Sequence, residues 1–138
     1  MAHPNEDLVR EAFAASGRGD IDALRNRYFA DGIPLHYPGR SPLAGDYDGV
    51  AQVLGFFGRA VELSGGTFRI ELHDVLANDE HAVALFTARA GQAGRRLEDR
   101  IVEVFHIRDG KAAEAWIYPA DHYASSPQSG TSEIIPAG

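Results

Sequence analysis

A chain of 138 residues with 44% hydrophobic and 24% charged content has the size and apolar fraction of one folded domain, and is too short for two. Its net charge of −7 repels phosphate backbones, which excludes nucleic acid as a partner, and no apolar run approaches the length of a membrane span. With no cysteine there is no disulfide, thiolate nucleophile or cysteine zinc site, and the redox compartment stays open; the start, Met1 to Asp7, has neither a basic segment nor an apolar stretch, so a cytoplasmic location is expected.

In chain order, Asn5 is the expected cap of a first helix, with Glu6 and Asp7 in its first turn and Val9, Ala12, Phe13 and Ser16 on one face. Gly17 and Gly19 end it. Asp20 caps a shorter second helix with Ile21, Leu24 and Tyr28 on one side, and Ile33 to Tyr37 reads as a brief strand. Proline and glycine then predict a loop from Pro38 to Tyr47. Asp48 is the expected cap of a third helix, in which Val50, Val53, Leu54, Phe57 and Val61 form an apolar stripe. From Thr67 the period switches to two. Four strand-like segments are divided by Asn78-Asp79-Glu80, Gly91 to Gly94 and Asp109-Gly110, as in antiparallel hairpins. The pattern predicts an α+β domain over residues 1–124, followed by a flexible tail over 125–138.

The run GDIDALRNRYFADG leading into LHYPGRSPLAGDYDGVAQVLGFF, and later EVFHIRDGKAAEAWIYPADHY, resembles the nuclear-transport-factor-2-like superfamily, and within it the SnoaL-like and ketosteroid-isomerase-like branch. The resemblance covers roughly residues 5–123. It implies a cone-shaped fold, three N-terminal helices on a curved antiparallel sheet around a pocket, and a homodimer formed through the outer sheet face. It implies no single chemistry, because the superfamily includes isomerases, polyketide cyclases, epoxide hydrolases, dehydratases and binders.

One parity of the segment from Arg96 to Arg108 holds Leu97, Asp99, Ile101, Glu103, Phe105 and Ile107, and Glu103 is out of place between two apolar neighbours. A carboxyl there is desolvated in a cavity, which raises its pKa above the ordinary value of about 4.3, or it is paired at an edge with Arg89 or Arg100. The resemblance places Glu103 where the isomerases carry their protonated oxyanion-hole aspartate, a worked case of acid tuning. The isomerases' base and tyrosine have no counterparts, since Tyr37 and Ala12 or Phe13 stand at their positions, so steroid isomerase activity is not expected. His36 and Tyr37 close the first strand at the expected pocket mouth, with one of the two pointing inward, and His36 is the candidate proton acceptor.

The last strand offers Trp116 and Tyr118, with Asp121 beyond; Trp116 taken alone suits a core, and the resemblance brings all three to the pocket. The expected site therefore comprises His36, Glu103 and Asp121 as catalytic groups, with Tyr37, Phe56, Ile101, Phe105, Trp116 and Tyr118 around the substrate. The histidines lack metal-ligand spacing and there is no nucleotide fingerprint, so neither a metal nor a cofactor is expected. The expected activity is isomerisation, cyclisation or dehydration of a small hydrophobic, cyclic or polyketide-like molecule by acid–base chemistry, the alternative being a non-catalytic binding or dimeric interaction module.

Overall fold

The computed structural model describes residues 2–39, 43–92 and 95–120, with the side chains of 92, 95 and 97 excepted; Asp121 and the tail lie outside the described residues. Helix α1 (Pro4–Arg18) is capped by His3, whose Nδ1 accepts the Asn5 N–H at 3.0 Å. Asn5 was expected in that role. Proline at the first helical position shifts the cap back to His3, and the Asn5 amide instead donates to the carbonyls of Asn78 and Asp79, tying the helix start to a strand turn.

Asp20 caps the short α2 (Ile21–Ala23) through the Ala23 N–H, and the chain continues as one π-helical turn, Leu24–Tyr28. Leu24 and Tyr28 are buried there, but Ile21, in the short α2 that precedes the turn, is 41% exposed and not on the packed side with them. Helix α3 (Val50–Leu63) starts at Gly49, with no side-chain cap, so Asp48 does not fill the expected role. Its buried face is Val53, Leu54, Phe56 and Ala60, whereas Val61 points outward at 45% exposure.

Six strands form one curved sheet in the order β2-β1-β6-β5-β4-β3: β1 (Pro34–Tyr37), β2 (Gly45–Asp48), β3 (Arg69–Ala77), β4 (His81–Gln92), β5 (Arg95–Arg108) and β6 (Lys111–Pro119). The expected loop after Pro38 thus contains β2, which pairs with β1 from Tyr37↔Gly45 to Pro34↔Asp48. Its glycine and two aspartates have poor strand propensity, and pairing with β1 overrides it. The sheet is mixed and not purely antiparallel as expected: β1 lies parallel to β6 through Leu35↔Ala115 and His36↔Trp116. A parallel neighbour requires a long connection, which β2, α3 and three strands supply.

The turn at Asp109-Gly110 has positive φ at both residues, 53° and 76°, the twist that closes a tight hairpin. Register shifts in β3 between Leu72 and Asp74, and between β5 and β6 at His106/Ile107, where β6 has the extra residue Ala113, are irregularities of the kind that curve a sheet. Helix α1 lies against β3 and β4, α3 against β1 and β2, and the concave face between them encloses a cavity. Among the described residues no helix is long and apolar enough to cross a membrane.

Candidate functional site

The cavity has a volume of about 360 Å³. Helix α1 contributes Phe13 and Ser16, α3 contributes Phe56 and Phe57, and the sheet contributes the inward parity of its strands. Small side chains make the room. On β4 the inward residues are Ala82, Ala84, Phe86, Ala88 and Ala90, of which Phe86, Ala88 and Ala90 line the cavity, one bulky ring beside two alanines. Phe13 packs edge-on against Phe86 at 5.2 Å and closes the α1 side.

Glu103 lies in this cavity, 6% exposed, between Ile101 and Phe105 on β5 and opposite Ala84 and Ile117 on the flanking strands. Among the described residues nothing donates a hydrogen bond to its carboxyl, and desolvation raises its pKa from 4.5 to about 8. At neutral pH it is mainly a neutral acid with a proton to donate. Neither arginine weighed as its partner is there: Arg89 binds Glu71 at 2.9 Å and Glu98 at 3.0 Å, and Arg100 is exposed.

Tyr37, Phe56, Ile101 and Phe105 also line the cavity. His36, Trp116 and Tyr118 do not. Strand alternation settles the choice at β1: Leu35 and Tyr37 are buried, and His36 faces the outer side. There its Nδ1 meets Asp46 and its Nε2 meets Glu114, both at 2.8 Å, and the ring stacks on Trp116 at 5.7 Å. The hydrogen bond to Asp46, and then that to Glu114, raises the pKa of His36. The carboxylates engage opposite ring nitrogens and so do not converge on one ion; among the described residues no cluster suited to a metal occurs. Trp116 and Tyr118 share the outer parity of β6, where Ala115 and Ile117 are the inward residues. Their aromatic character signalled burial, but parity decides which side they bury.

A second carboxyl was passed over. Asp99 is 6% exposed and lines the same cavity, one parity step beyond Ile101. The alternation that singled out Glu103 contains it, four residues earlier.

Residues 9–115 match the model of the SnoaL-like domain. The chain belongs to the SnoaL-like family. This SnoaL-like protein also superposes on Bal32a, from a soil-derived mobile gene cassette, with a TM-score of 0.82 and 32% identity over 88% of this chain and 92% of that one. An NTF2-like protein of Burkholderia xenovorans aligns with a TM-score of 0.76 and 26% identity, over 95% and 98% of the two chains. IdmH of Streptomyces antibioticus, proposed to be a polyketide cyclase, shares the fold at a TM-score of 0.71 with 18% identity, over 86% of this chain and 93% of its own. The SnoaL-like protein therefore has the cone-shaped NTF2-like α+β fold expected of it.

Proposed function

We propose that this SnoaL-like protein is a cofactor-independent enzyme that isomerises, cyclises or dehydrates a small hydrophobic carbonyl compound, cyclic or polyketide-like, in the cavity. The observation that carries the reading is Glu103: a carboxyl on an apolar cavity wall, kept protonated near neutral pH by desolvation alone. A neutral acid there donates a hydrogen bond to a substrate carbonyl oxygen and stabilises the negative charge that builds on it as a solvent water beside the substrate takes the proton of a neighbouring C–H bond. Tyr37, Phe56, Ile101 and Phe105 shape the substrate's surroundings, and Asp121, directly beyond β6, is a proposed orienting group.

The ketone 2-tetralone tests this reading. Uptake of deuterium from D₂O next to its carbonyl is expected to be faster with the wild-type protein than with Glu103→Gln by about two orders of magnitude or more, with similar binding to both. Equal uptake with the two proteins overturns the reading. The position of His36 outside the cavity favours a second one, a non-catalytic binding module, for which 2-tetralone binds but its exchange stays at the buffer rate.

A further inference from the structure

Exposure along the cavity wall rises in one direction. Glu103 and Phe105 of β5 and Ile117 of β6 are buried, and Leu24 and Phe29, buried as well, line the same end from the helical side. Toward the hairpin that joins β4 to β5 the lining is only partly buried: Leu63 at the end of α3, Phe68, Ile70, Ala88 and Ala90. Arg89 and Glu98, which line this end too, have side chains 44% and 43% exposed. Among the described residues the cavity is therefore a channel, closed around Glu103 and open beside Ala90.

The place of the acid fixes how a substrate lies. A carbonyl oxygen that reaches Glu103 goes in first, and the rest of the molecule trails toward the opening across Phe86 and Ile101, which face each other on β4 and β5. Two residues past Phe86 comes Ala88, in a cross-strand row with Ile70 on β3 and Asp99 on β5. Ala88 is the small member of that row, and its methyl group leaves the passage open where a larger side chain would fill it.

The register gives the length. Glu103 is opposite Ala84, so Ala88 lies four strand residues further along β4, roughly 13 Å at about 3.3 Å per residue. A hydrogen bond of about 2.8 Å at the acid leaves roughly 10 Å between the carbonyl oxygen and the level of Ala88. A straight pair of linked rings spans that distance, whereas a single ring stops at the level of Phe86.

We propose that the cavity selects straight apolar ketones that enter carbonyl first and extend over Ala88, and that Ala88 is a specificity-determining residue for them. The inference deepens the proposed function and rests on its reading of Glu103 as the group that takes the carbonyl oxygen.

Three methyl ketones test it: acetophenone, 4-acetylbiphenyl, which is straight, and its bent isomer 2-acetylbiphenyl. In titrations of the whole protein the straight isomer is expected to bind at least about 10-fold more tightly than the bent one, although both carry the same apolar surface. In protein with isotope-labelled alanine methyl groups, nuclear Overhauser contacts should join Ala88 to the outer ring of bound 4-acetylbiphenyl and not to its acetyl group. Ala88→Leu should weaken 4-acetylbiphenyl about 10-fold and leave acetophenone within about twofold. Equal binding of the two isomers, an acetyl group beside Ala88, or an Ala88→Leu effect that is absent or the same for acetophenone overturns the inference. Each of these leaves the proposed function standing as long as Glu103-dependent exchange on 2-tetralone is seen. If none of the three ketones binds, the inference falls, and the catalytic reading falls with it when 2-tetralone also exchanges only at the buffer rate. The isomer ranking and the contacts to Ala88 use the unmodified protein, so they decide the matter even if Ala88→Leu does not fold.

Discussion

At Glu103 the same burial that makes an acid also destabilises the fold. Its native pKa of about 8 lies above the 4.5 of an unburied glutamate, so its contribution to stability is fully present below pH 4.5 and is lost as pH rises toward 8. At pH 7 the loss is on the order of 3 kcal/mol. Glu103→Gln, which keeps the shape and cannot ionise, is expected to melt higher than wild type at pH 7 to 8 and no higher at pH 4.5; a lower melting temperature at pH 8 would contradict the desolvated placement. His36 has the same sign for a different reason. Its pKa is raised by Asp46 and then Glu114, so its stabilisation is complete below about pH 6.5 and is lost as pH rises through the elevated native value. In the Glu103→Gln background, where the other slope is absent, thermal melts should still decline across this window. Adding His36→Gln should flatten them.

Among the elements, the start of α3 depends on one backbone conformation. Gly49 has φ 88° and ψ 157°, a region open essentially to glycine, and from it the Gly49 N–H reaches the Ile33 carbonyl at 2.8 Å while the Val50 N–H reaches Asp31 at 2.9 Å. These bonds join α3 to the segment that leads into β1, and so set Phe56 over Tyr37, whose rings are 5.6 Å apart in the cavity wall. A β-carbon at Gly49 has space, 3.6 Å from the Asp31 oxygen, so the cost of Gly49→Ala is conformational. We expect urea denaturation to show a loss of about 1 to 3 kcal/mol. A neutral result would mean that the helix start relaxes to another geometry.

For the whole molecule, the outer sheet face has two apolar rows in cross-strand register, Val83, Val104 and Trp116 in one and Leu85, Val102 and Tyr118 in the next. Val102 is 37% and Tyr118 47% exposed, and continuous apolar surface of this kind marks an interface. Two copies are expected to pair there. Light scattering at micromolar concentration should report about twice 14.9 kDa, and Val104→Glu should halve that mass. A wild-type mass near one chain removes the proposal. Deletion of residues 125–138 should leave the fold intact, because Ser, Pro and Gly dominate the segment and it has no apolar period to offset the entropy of ordering. If deletion lowers the melting temperature or weakens ligand binding, Ile134 and Ile135 are packed against the domain.

Periodicity located the first and third helices, the four long strands and the parity that Glu103 shares with Ile101 and Phe105, because these features are local: side chains three or four apart share a helix face, and alternate ones share a sheet face. Asp99 was legible by the same rule and lacked only a reason to separate it from its polar neighbours Glu98 and Arg100. The tertiary structure decided what local pattern does not encode. Strand β2 exists because β1 offers it an edge, and β6 lies parallel to β1 because a long connection returns the chain beside it. Trp116 and Tyr118 fall outside the cavity because an aromatic ring suits either side of a sheet, and the side that faces the helices is settled only when the helices pack. His36 was read as a cavity base from its place at a strand end, but its two carboxylate partners, Asp46 and Glu114, are 10 and 78 residues away along the chain. They meet it only where β1, β2 and β6 lie side by side.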